Sequence, residues 1–204
     1  MGVRLHEGDL PEGLDLGPMV AIDTETMGLA VSRDRLCVVQ MSRGDGSAEV
    51  VRIAAGQRAA PRLAAMLGDP QVLKLFHFGR FDMGVLTNAF GVMPAPVYCT
   101  KIASKLARTY TDRHGLKELV KELVGVDLSK QQQSSDWGAS SLSEAQLAYA
   151  ASDVLNLHAL KAKLDVMLER EGRMALAKAC FQFLPTRALL DVAGWDEVDI
   201  FAHG

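Results

Sequence analysis

Short apolar runs rich in β-branched residues dominate the first part of the chain. Four such runs, each bounded by turn-forming residues, predict β-strands at Met19–Asp23, Leu36–Ser42, Glu49–Ile53 and Val72–His77. The second and third runs flank the sequence Arg-Gly-Asp-Gly-Ser at 43–47, which is typical of a hairpin turn. We therefore expect these two strands to be antiparallel neighbours.

Apolar residues recur at helical spacing through much of the remaining chain. They predict helices at Gln57–Leu67, Gly79–Phe90, Lys101–Arg108, Leu116–Val124 and Ser143–Arg170. Ser143 with Gln146 three residues later is a capping-box pattern at the start of the last helix. A further helical piece is expected in the tail Gly172–Gly204, ended by Pro185. Strands first and helices later predict an α/β fold, with a mixed sheet flanked by helices and a mostly helical C-terminal half.

The composition narrows the cellular setting and the class of partner. The 204 residues suit one domain, and no apolar run reaches the ~18 residues that cross a membrane. Met1–Pro18 lacks the apolar segment of a secretory signal. The odd, scattered set Cys37, Cys99 and Cys180 favours reduced thiols in the cytoplasm over disulfides or a zinc site. The net charge of -3 disfavours a protein that coats long duplexes, but permits nucleic acid bound locally at a metal site.

Two acidic residues, Asp23 and Glu25, lie at the end of the first predicted strand. Residues two apart in a strand point to the same face, so the two carboxylates should converge and repel each other. A divalent cation with a preference for oxygen ligands, such as magnesium or manganese, relieves that repulsion. The alternative is an ordinary pair of surface acids, because such pairs are common.

Three later residues extend this pattern. Asp82 lies in the first turn of a predicted helix, where an acid is also favourable to the helix dipole. Tyr149 and Asp153 are four apart, and so share one face of a helix that is apolar nearly all round over 147–157 and should be buried. The alternative for this pair is a core tyrosine hydrogen-bonded to a buried acid. Together the four carboxylates suit two divalent cations about 4 Å apart, which assist an in-line phosphoryl displacement.

This constellation resembles the DEDD exonucleases that carry a tyrosine in their third motif, and among them the ribonuclease D family. The resemblance runs from about Met19 to Leu168. Its motifs are Ile-Asp-Thr-Glu at 22–25, His-Phe-Gly-Arg-Phe-Asp at 77–82 and Tyr-Ala-Ala-Ser-Asp at 149–153, with a connecting segment from Leu-Lys-Glu-Leu at 116–119 to Ser-Asp-Trp at 135–137.

The resemblance implies a ribonuclease H-like fold with a mixed five-stranded sheet, over a single 3′–5′ exonuclease domain at 1–204. The catalytic core would span about 19–170 and the helical tail 171–204, which would serve packing or assembly. It also implies release of nucleoside 5′-monophosphates from 3′ ends with two divalent cations, Mg²⁺ or Mn²⁺. The implied catalytic residues are Tyr149 and the four metal ligands, Asp23, Glu25, Asp82 and Asp153. Tyr149 would act on the attacking water.

Two departures from the ribonuclease D pattern bear on the substrate. The chain stops at residue 204, without the helical nucleic-acid-binding domains of ribonuclease D, and so resembles the short, ring-forming nanoRNase C. Cys99-Thr100 stands where many relatives have Asp-Thr, although that acid is not a metal ligand. The short form implies a cytoplasmic homo-oligomer, in the form of an octameric ring, that degrades short single-stranded RNA, especially dinucleotides, away from any membrane.

Further residues are expected to contact the substrate. In such enzymes a leucine at the place of Leu29 wedges between the two terminal bases. The other candidates are Thr24, Met27, Gly28, His77 and Ser135. Met27 and Leu29 could instead pack on the core, and His77 could be a satisfied core histidine. Basic side chains that could contact phosphate, or be solvated at the surface, are Arg80, Lys101, Arg113, His114 and Lys117.

Three alternatives to a dinucleotide-degrading enzyme stay open. They are 3′ trimming of longer RNA as in ribonuclease D, a 3′–5′ DNA exonuclease, and a catalytically silent nucleic-acid-binding module. In the tail, Trp195, Ile200 and Phe201 could form a subunit interface or fold back on the same subunit. For Trp137 in the connecting segment, packing is the expected role.

Overall fold

One mixed six-stranded sheet lies at the centre of the residues that the computed structural model describes, which are 2–129, 131–132 and 134–203. The strands are β1 Gly2–Glu7, β2 Met19–Thr26, β3 Leu36–Ser42, β4 Ser47–Arg52, β5 Leu73–Phe76 and β6 Val97–Cys99. Their order in the sheet is β1-β4-β3-β2-β5-β6. β3 is antiparallel to β2 and β4, and the other neighbouring pairs are parallel.

All four predicted strands are present, and the predicted hairpin joins β3 to β4. Within the described residues the sheet has six strands, not the five that the resemblance implies. The additional edge strands β1 and β6 were not recognised, because β1 is largely exposed and polar and β6 is three residues long. β2 also extends to Thr26, so Glu25 lies within the strand.

Seven helices pack around this sheet in the described part of the chain. They are α1 Pro61–Gly68, α2 Arg80–Phe90, α3 Thr100–Ala107, α4 Leu116–Leu119, α5 Glu144–Leu155, α6 Leu157–Arg170 and α7 Met174–Val192, and a π-helical turn at Val120–Val124 continues α4. Helix α1 begins at a proline, which suits a first helical position, and so starts later than predicted. The predicted helix Ser143–Arg170 is divided at Asn156, a residue type that is disfavoured inside helices.

The capping box that opens α5 is formed as predicted. The Ser143 hydroxyl accepts a hydrogen bond from the Gln146 N–H at 3.2 Å, and the Gln146 side-chain oxygen accepts one from the Ser143 N–H at 2.9 Å. Helix α5 packs on β2, β3 and β4. This contact places the middle of α5 beside the strand that carries Asp23 and Glu25.

The prediction that Pro185 ends the last helix is wrong. Helix α7 continues through Pro185 to Val192. A proline inside a helix costs about 3 kcal/mol or more. The buried face formed by Ala177, Phe181, Leu184 and Ala188 continues on both sides of the proline and offsets this cost. The tail therefore packs as a long helix, chiefly against α2.

The end of the tail is exposed, and the three cysteines are unpaired. Trp195, Ile200 and Phe201 are exposed in the single chain, although the Phe201 ring lies 5.7 Å from that of Phe183. Cys37, Cys99 and Cys180 are all free thiols. Among the residues described, no helix combines the length and the apolar character needed to cross a membrane.

Candidate active site

Asp23 and Glu25 lie on one face of β2, at the end where the strand leaves the sheet. In the antiparallel register Asp23 is opposite Gln40 on β3, and a bulge follows Glu25. The Gln40 side-chain NH₂ donates a hydrogen bond to Asp23 Oδ2 at 2.6 Å. Sequence reasoning missed Gln40; its signal is a polar residue, fully buried here, within the apolar run of β3.

Asp82 is held in the first turn of α2, directly after a sharp change in chain direction. Phe78 has a φ of 64°, which is unusual for a residue with a side chain. The next position requires glycine, because a Cβ on Gly79 would lie 2.5 Å from the Phe76 side chain. The buried Asp82 accepts a hydrogen bond from the Thr24 hydroxyl at 2.7 Å. The Thr24 hydroxyl therefore binds Asp82, although Thr24 also lines the cleft described below.

Tyr149 and Asp153 face the same site from α5. The helix buries Ala150, Ala151 and Val154, whereas Tyr149 and Asp153 are only half-buried and line a cleft. The helix is therefore buried along one side, and not all round as its apolar sequence predicts. Tyr149 donates a hydrogen bond to Asp153, as the alternative for this pair holds, but both residues line the cleft and do not lie in the core.

Three of the predicted carboxylates come together closely. Asp23, Glu25 and Asp153 each offer an oxygen, and these oxygens lie within 4.8 Å of one another. Asp82 is outside this trio, but it lies near enough for its charge to raise the pKa values of Asp23, Glu25 and Asp153. The structure thus gathers four acids from β2, α2 and α5 at one end of the sheet.

The four acids hold their protons far more tightly than ordinary carboxyl groups. Burial, with the repulsion of neighbouring carboxylates, raises the pKa of Glu25 to about 8 and that of Asp23 well above its usual range. Burial raises the pKa of Asp82 and of Asp153 to about 7, against hydrogen bonds from Thr24 and Tyr149 respectively. Burial and the charge of Asp153 raise the pKa of Tyr149, which keeps its hydroxyl protonated at neutral pH.

This donor set fits divalent cations. Within the described ranges, none of the four acids forms an ion pair with lysine or arginine. Among the described residues, their mutual repulsion is eased only by neutral hydrogen-bond donors: Gln40, Thr24 and Tyr149. Clustered carboxylate oxygens without nitrogen or sulfur ligands are what Mg²⁺ and Mn²⁺ prefer.

Asp23, Glu25 and Asp153 open onto a cleft of about 500 Å³, whereas the buried Asp82 lies behind its lining. The loop after β2 forms one wall, where Met27 is exposed and Leu29 is 86% exposed, so neither packs on the core. A Cβ at Gly28 would collide with the Asp34 carboxylate, which closes this loop by accepting a hydrogen bond from the Ala30 N–H. Other lining residues that the sequence analysis did not single out for substrate are Thr26, Phe81, Leu116, Glu118, Leu128, Ser129 and Ser134.

The remaining predicted contacts divide into two groups. His77, Ser135 and Lys117 line the cleft, and burial, with the charge of Lys101, lowers the pKa of His77 to about 3. His77 Nδ1 lies 2.9 Å from the Thr100 hydroxyl oxygen. Trp137 also lines the cleft, but it is buried, and its ring lies 6.0 Å from that of Tyr149.

The other basic candidates lie away from the cleft, and three of their side chains have partners elsewhere. Arg80 is paired with Asp191, the Lys101 ammonium lies 4.3 Å from the Phe78 ring centroid, and His114 Nδ1 lies 2.8 Å from the Ser104 hydroxyl. The Arg113 carbonyl accepts a hydrogen bond from the buried Arg108. None of the four lines the cleft among the residues described.

Comparison with known proteins agrees with this geometry. The chain is 61% identical to Brucella melitensis NrnC solved with bound Mg²⁺, over the full length of both chains, with a TM-score of 0.97. The same protein bound to pGG matches at 62% identity and a TM-score of 0.97, again over the full length of both chains. Ribonuclease D of Gluconacetobacter diazotrophicus is 40% identical over 80% of this chain but only 41% of the relative, so the chain spans about two fifths of that protein. Residues 9–169 match the 3′–5′ exonuclease family, and the chain belongs to that family.

Proposed function

We propose that this chain is a metal-dependent 3′–5′ exoribonuclease that degrades very short RNA, above all dinucleotides, to nucleoside 5′-monophosphates. One observation carries the proposal: three carboxylate oxygens lie within 4.8 Å of one another and open onto a cleft with an exposed leucine. The cleft volume of about 500 Å³ falls in the range of small-ligand sites and suits a short strand.

Asp23, Glu25 and Asp153 would hold two divalent cations, with Asp82 as the fourth ligand. When bound, these cations supply the positive charge that activates a water and stabilises the leaving 3′-oxygen. Gln40 fixes one oxygen of Asp23, and Thr24 fixes one oxygen of Asp82. These hydrogen bonds orient the carboxylates before the substrate arrives.

Tyr149 would orient the attacking water. Its raised pKa keeps the phenol protonated at neutral pH, so it acts as a hydrogen-bond donor and acceptor in preference to a free phenolate base. Trp137 supports the ring at a centroid distance of 6.0 Å. His77 stays neutral and contributes hydrogen bonds at the cleft wall.

Leu29 would lie between the two terminal bases, in a loop that includes Met27 and Gly28. An exposed apolar side chain of this kind gives contact area without reading base identity, so we expect little sequence preference. Ser135, which also lines the cleft, would be a further contact.

The full-length similarity to NrnC, solved with Mg²⁺ and with pGG, supports a short substrate and a divalent cation. The ribonuclease D relatives support the rival substrate, longer RNA, but they extend well beyond this chain. Assembly into a homo-oligomer and a cytoplasmic location belong to the same proposal. So does the division into a core at about 19–170 and a tail at 171–204 that packs or assembles.

Hydrolysis of pGG with Mg²⁺ tests the proposal. The wild-type protein should release guanosine monophosphate, and Asp23→Asn or Asp153→Asn should lose at least about 100-fold in kcat. Asp45→Asn, which changes an acid in the β3–β4 hairpin, is the matched control and should keep full activity. Full activity of either site variant would sink the residue assignment, and a wild-type protein without activity on RNA or DNA would favour a silent binding module.

A further inference from the structure

One carboxylate near the end of α7 is tied to the first turn of the active-site helix α2. Asp191 Oδ1 accepts hydrogen bonds from Arg80 Nη2 and from Arg187 Nη2, each at 2.8 Å, and Asp191 Oδ2 pairs with Arg80 Nε. The Asp191 side chain is 6% exposed and the Arg80 side chain 32%, so solvent reaches the arginine but hardly the carboxylate. Arg80 is the first residue of α2 and precedes Asp82 by two positions.

The charges explain why this contact governs the start of α2. A cation at a helix N-terminus is unfavourable, because the helix dipole places positive charge there. Asp191 supplies a negative charge at that end and neutralises Arg80 through two hydrogen bonds. Without the carboxylate, Arg80 and Arg187 would keep only hydrogen bonds to backbone carbonyls of 195–198. Their like charges would repel each other, and the first turn that carries Asp82 would lose its charged partner.

The same end of α7 lies against the part of α2 that contacts the loop carrying Leu29. Gly84 on α2 leaves room for two valine side chains, since a Cβ there would lie 3.2 Å from Val31 and 3.7 Å from Val192. Asn88 on α2 donates a hydrogen bond to the Val31 carbonyl at 3.0 Å. Val31 follows Leu29 by two residues, so α2 holds this loop in place, and Val192 of α7 packs beside the same stretch of α2.

We propose that Asp191 is a positioning residue for the nuclease site. Through Arg80 it fixes the turn of α2 that presents Asp82, and α2 in turn holds the loop that presents Leu29 through Asn88. The inference rests on the proposed function for its kinetic test. It assigns the C-terminal helix a role inside the subunit, apart from any role in assembly.

Asp191→Asn tests this role, because it removes the charge and preserves the shape. It should lower kcat for pGG by about 10- to 100-fold and raise KM, since a small displacement of catalytic groups is costly and both walls of the cleft are affected. A merely structural role would reduce the fraction of active protein and leave KM unchanged. Asp191→Glu should restore part of both parameters.

Asp165→Asn is the matched control. Asp165 lies on α6, away from the site, and its carboxylate also accepts hydrogen bonds from two side chains, those of Lys161 and Tyr98. This variant should leave kcat and KM within about twofold, as expected away from the site. If Asp191→Asn fails to fold, Arg80→Gln combined with Asp191→Asn removes both charges and should fold with the same kinetic defect. A folded variant with wild-type kcat and KM overturns the proposal.

Amide hydrogen exchange separates this inference from the proposed function. In Asp191→Asn, but not in Asp165→Asn, the amides of 29–34 and 80–84 should exchange faster than in the wild type. If the wild-type protein does not hydrolyse pGG, the proposed function has failed and exchange alone decides the inference. Unchanged exchange in both segments would then overturn it.

Discussion

Replacing Asp153 with asparagine should stabilise the metal-free protein, and the gain should increase with pH. In the folded protein the pKa of Asp153 is raised to about 7, mainly by burial. An unfolded chain has an aspartate pKa of about 3.9, so the folded state holds the proton more tightly. The stability from this proton is fully present below about pH 4 and is lost as the pH rises through about 7.

The magnitude follows from that single pKa. Between about pH 6 and pH 8 the folded wild-type protein releases this proton, which costs it about 1.4 kcal/mol of unfolding free energy. Asparagine has no proton to lose, so the stability advantage of Asp153→Asn should grow by the same about 1.4 kcal/mol. For a chain of this size that corresponds to a relative shift of roughly 3–6 °C in Tm.

Thermal unfolding of both proteins in chelator, at about pH 6 and about pH 8, measures this difference. Loss of the Asp153 charge also lowers the pKa of Asp23 and of Glu25, which adds to the gain, so the measured difference should be at least this large. Asp45→Asn is the control, because hydrogen bonds from Ser47 and Arg43 hold the pKa of Asp45 low. Its effect should be the same at both pH values. A difference between wild type and Asp153→Asn that does not change with pH would refute the account of a repelling carboxylate cluster.

Three further predictions concern the cleft and its ions. Mg²⁺ should raise the Tm of the wild-type protein more at about pH 8 than at about pH 6, because protons compete with the ion for the four acids; equal shifts would contradict this. Leu29→Ala should leave Tm unchanged, because the side chain is 86% exposed. It should also raise KM for pGG by roughly tenfold through lost base contact, and an unchanged KM would count against the wedge. Gln40→Leu removes the hydrogen bond to Asp23. In a thermal-shift titration it should raise the Mg²⁺ concentration needed for half-maximal stabilisation by about 10-fold. An effect smaller than about twofold would show that Gln40 does not orient the Asp23 carboxylate.

Local patterns were sufficient to predict the parts of the fold that depend on nearby residues. The alternation in β2 placed Asp23 and Glu25 on one face, and the four-residue spacing placed Tyr149 and Asp153 on another. Because the residues also resembled a known family, the sequence predicted that these two faces meet. The capping box at Ser143 followed from a pattern four residues long.

Features that depend on distant packing were missed. Gln40 could be placed beside Asp23 only once the register of β2 and β3 was known. The ion pair between Arg80 and Asp191 joins residues 111 positions apart. Arg80, which the sequence offers as a candidate phosphate contact, therefore has a structural partner that no local pattern reveals. The continuation of α7 through Pro185 likewise depends on the surface that its apolar face covers, which local propensity cannot report.

The length of the preferred substrate tests the central claim most directly. The measurement is kcat/KM with Mg²⁺ on 5′-labelled RNAs from two to seven nucleotides, beside DNAs of the same lengths. We predict that the RNA dinucleotide is cleaved most efficiently and that no two-nucleotide product accumulates. The account would be contradicted by equal or greater efficiency on the longer RNAs with dinucleotides left as the end product, which would favour trimming of long RNA. A preference for the DNAs would identify a DNA exonuclease.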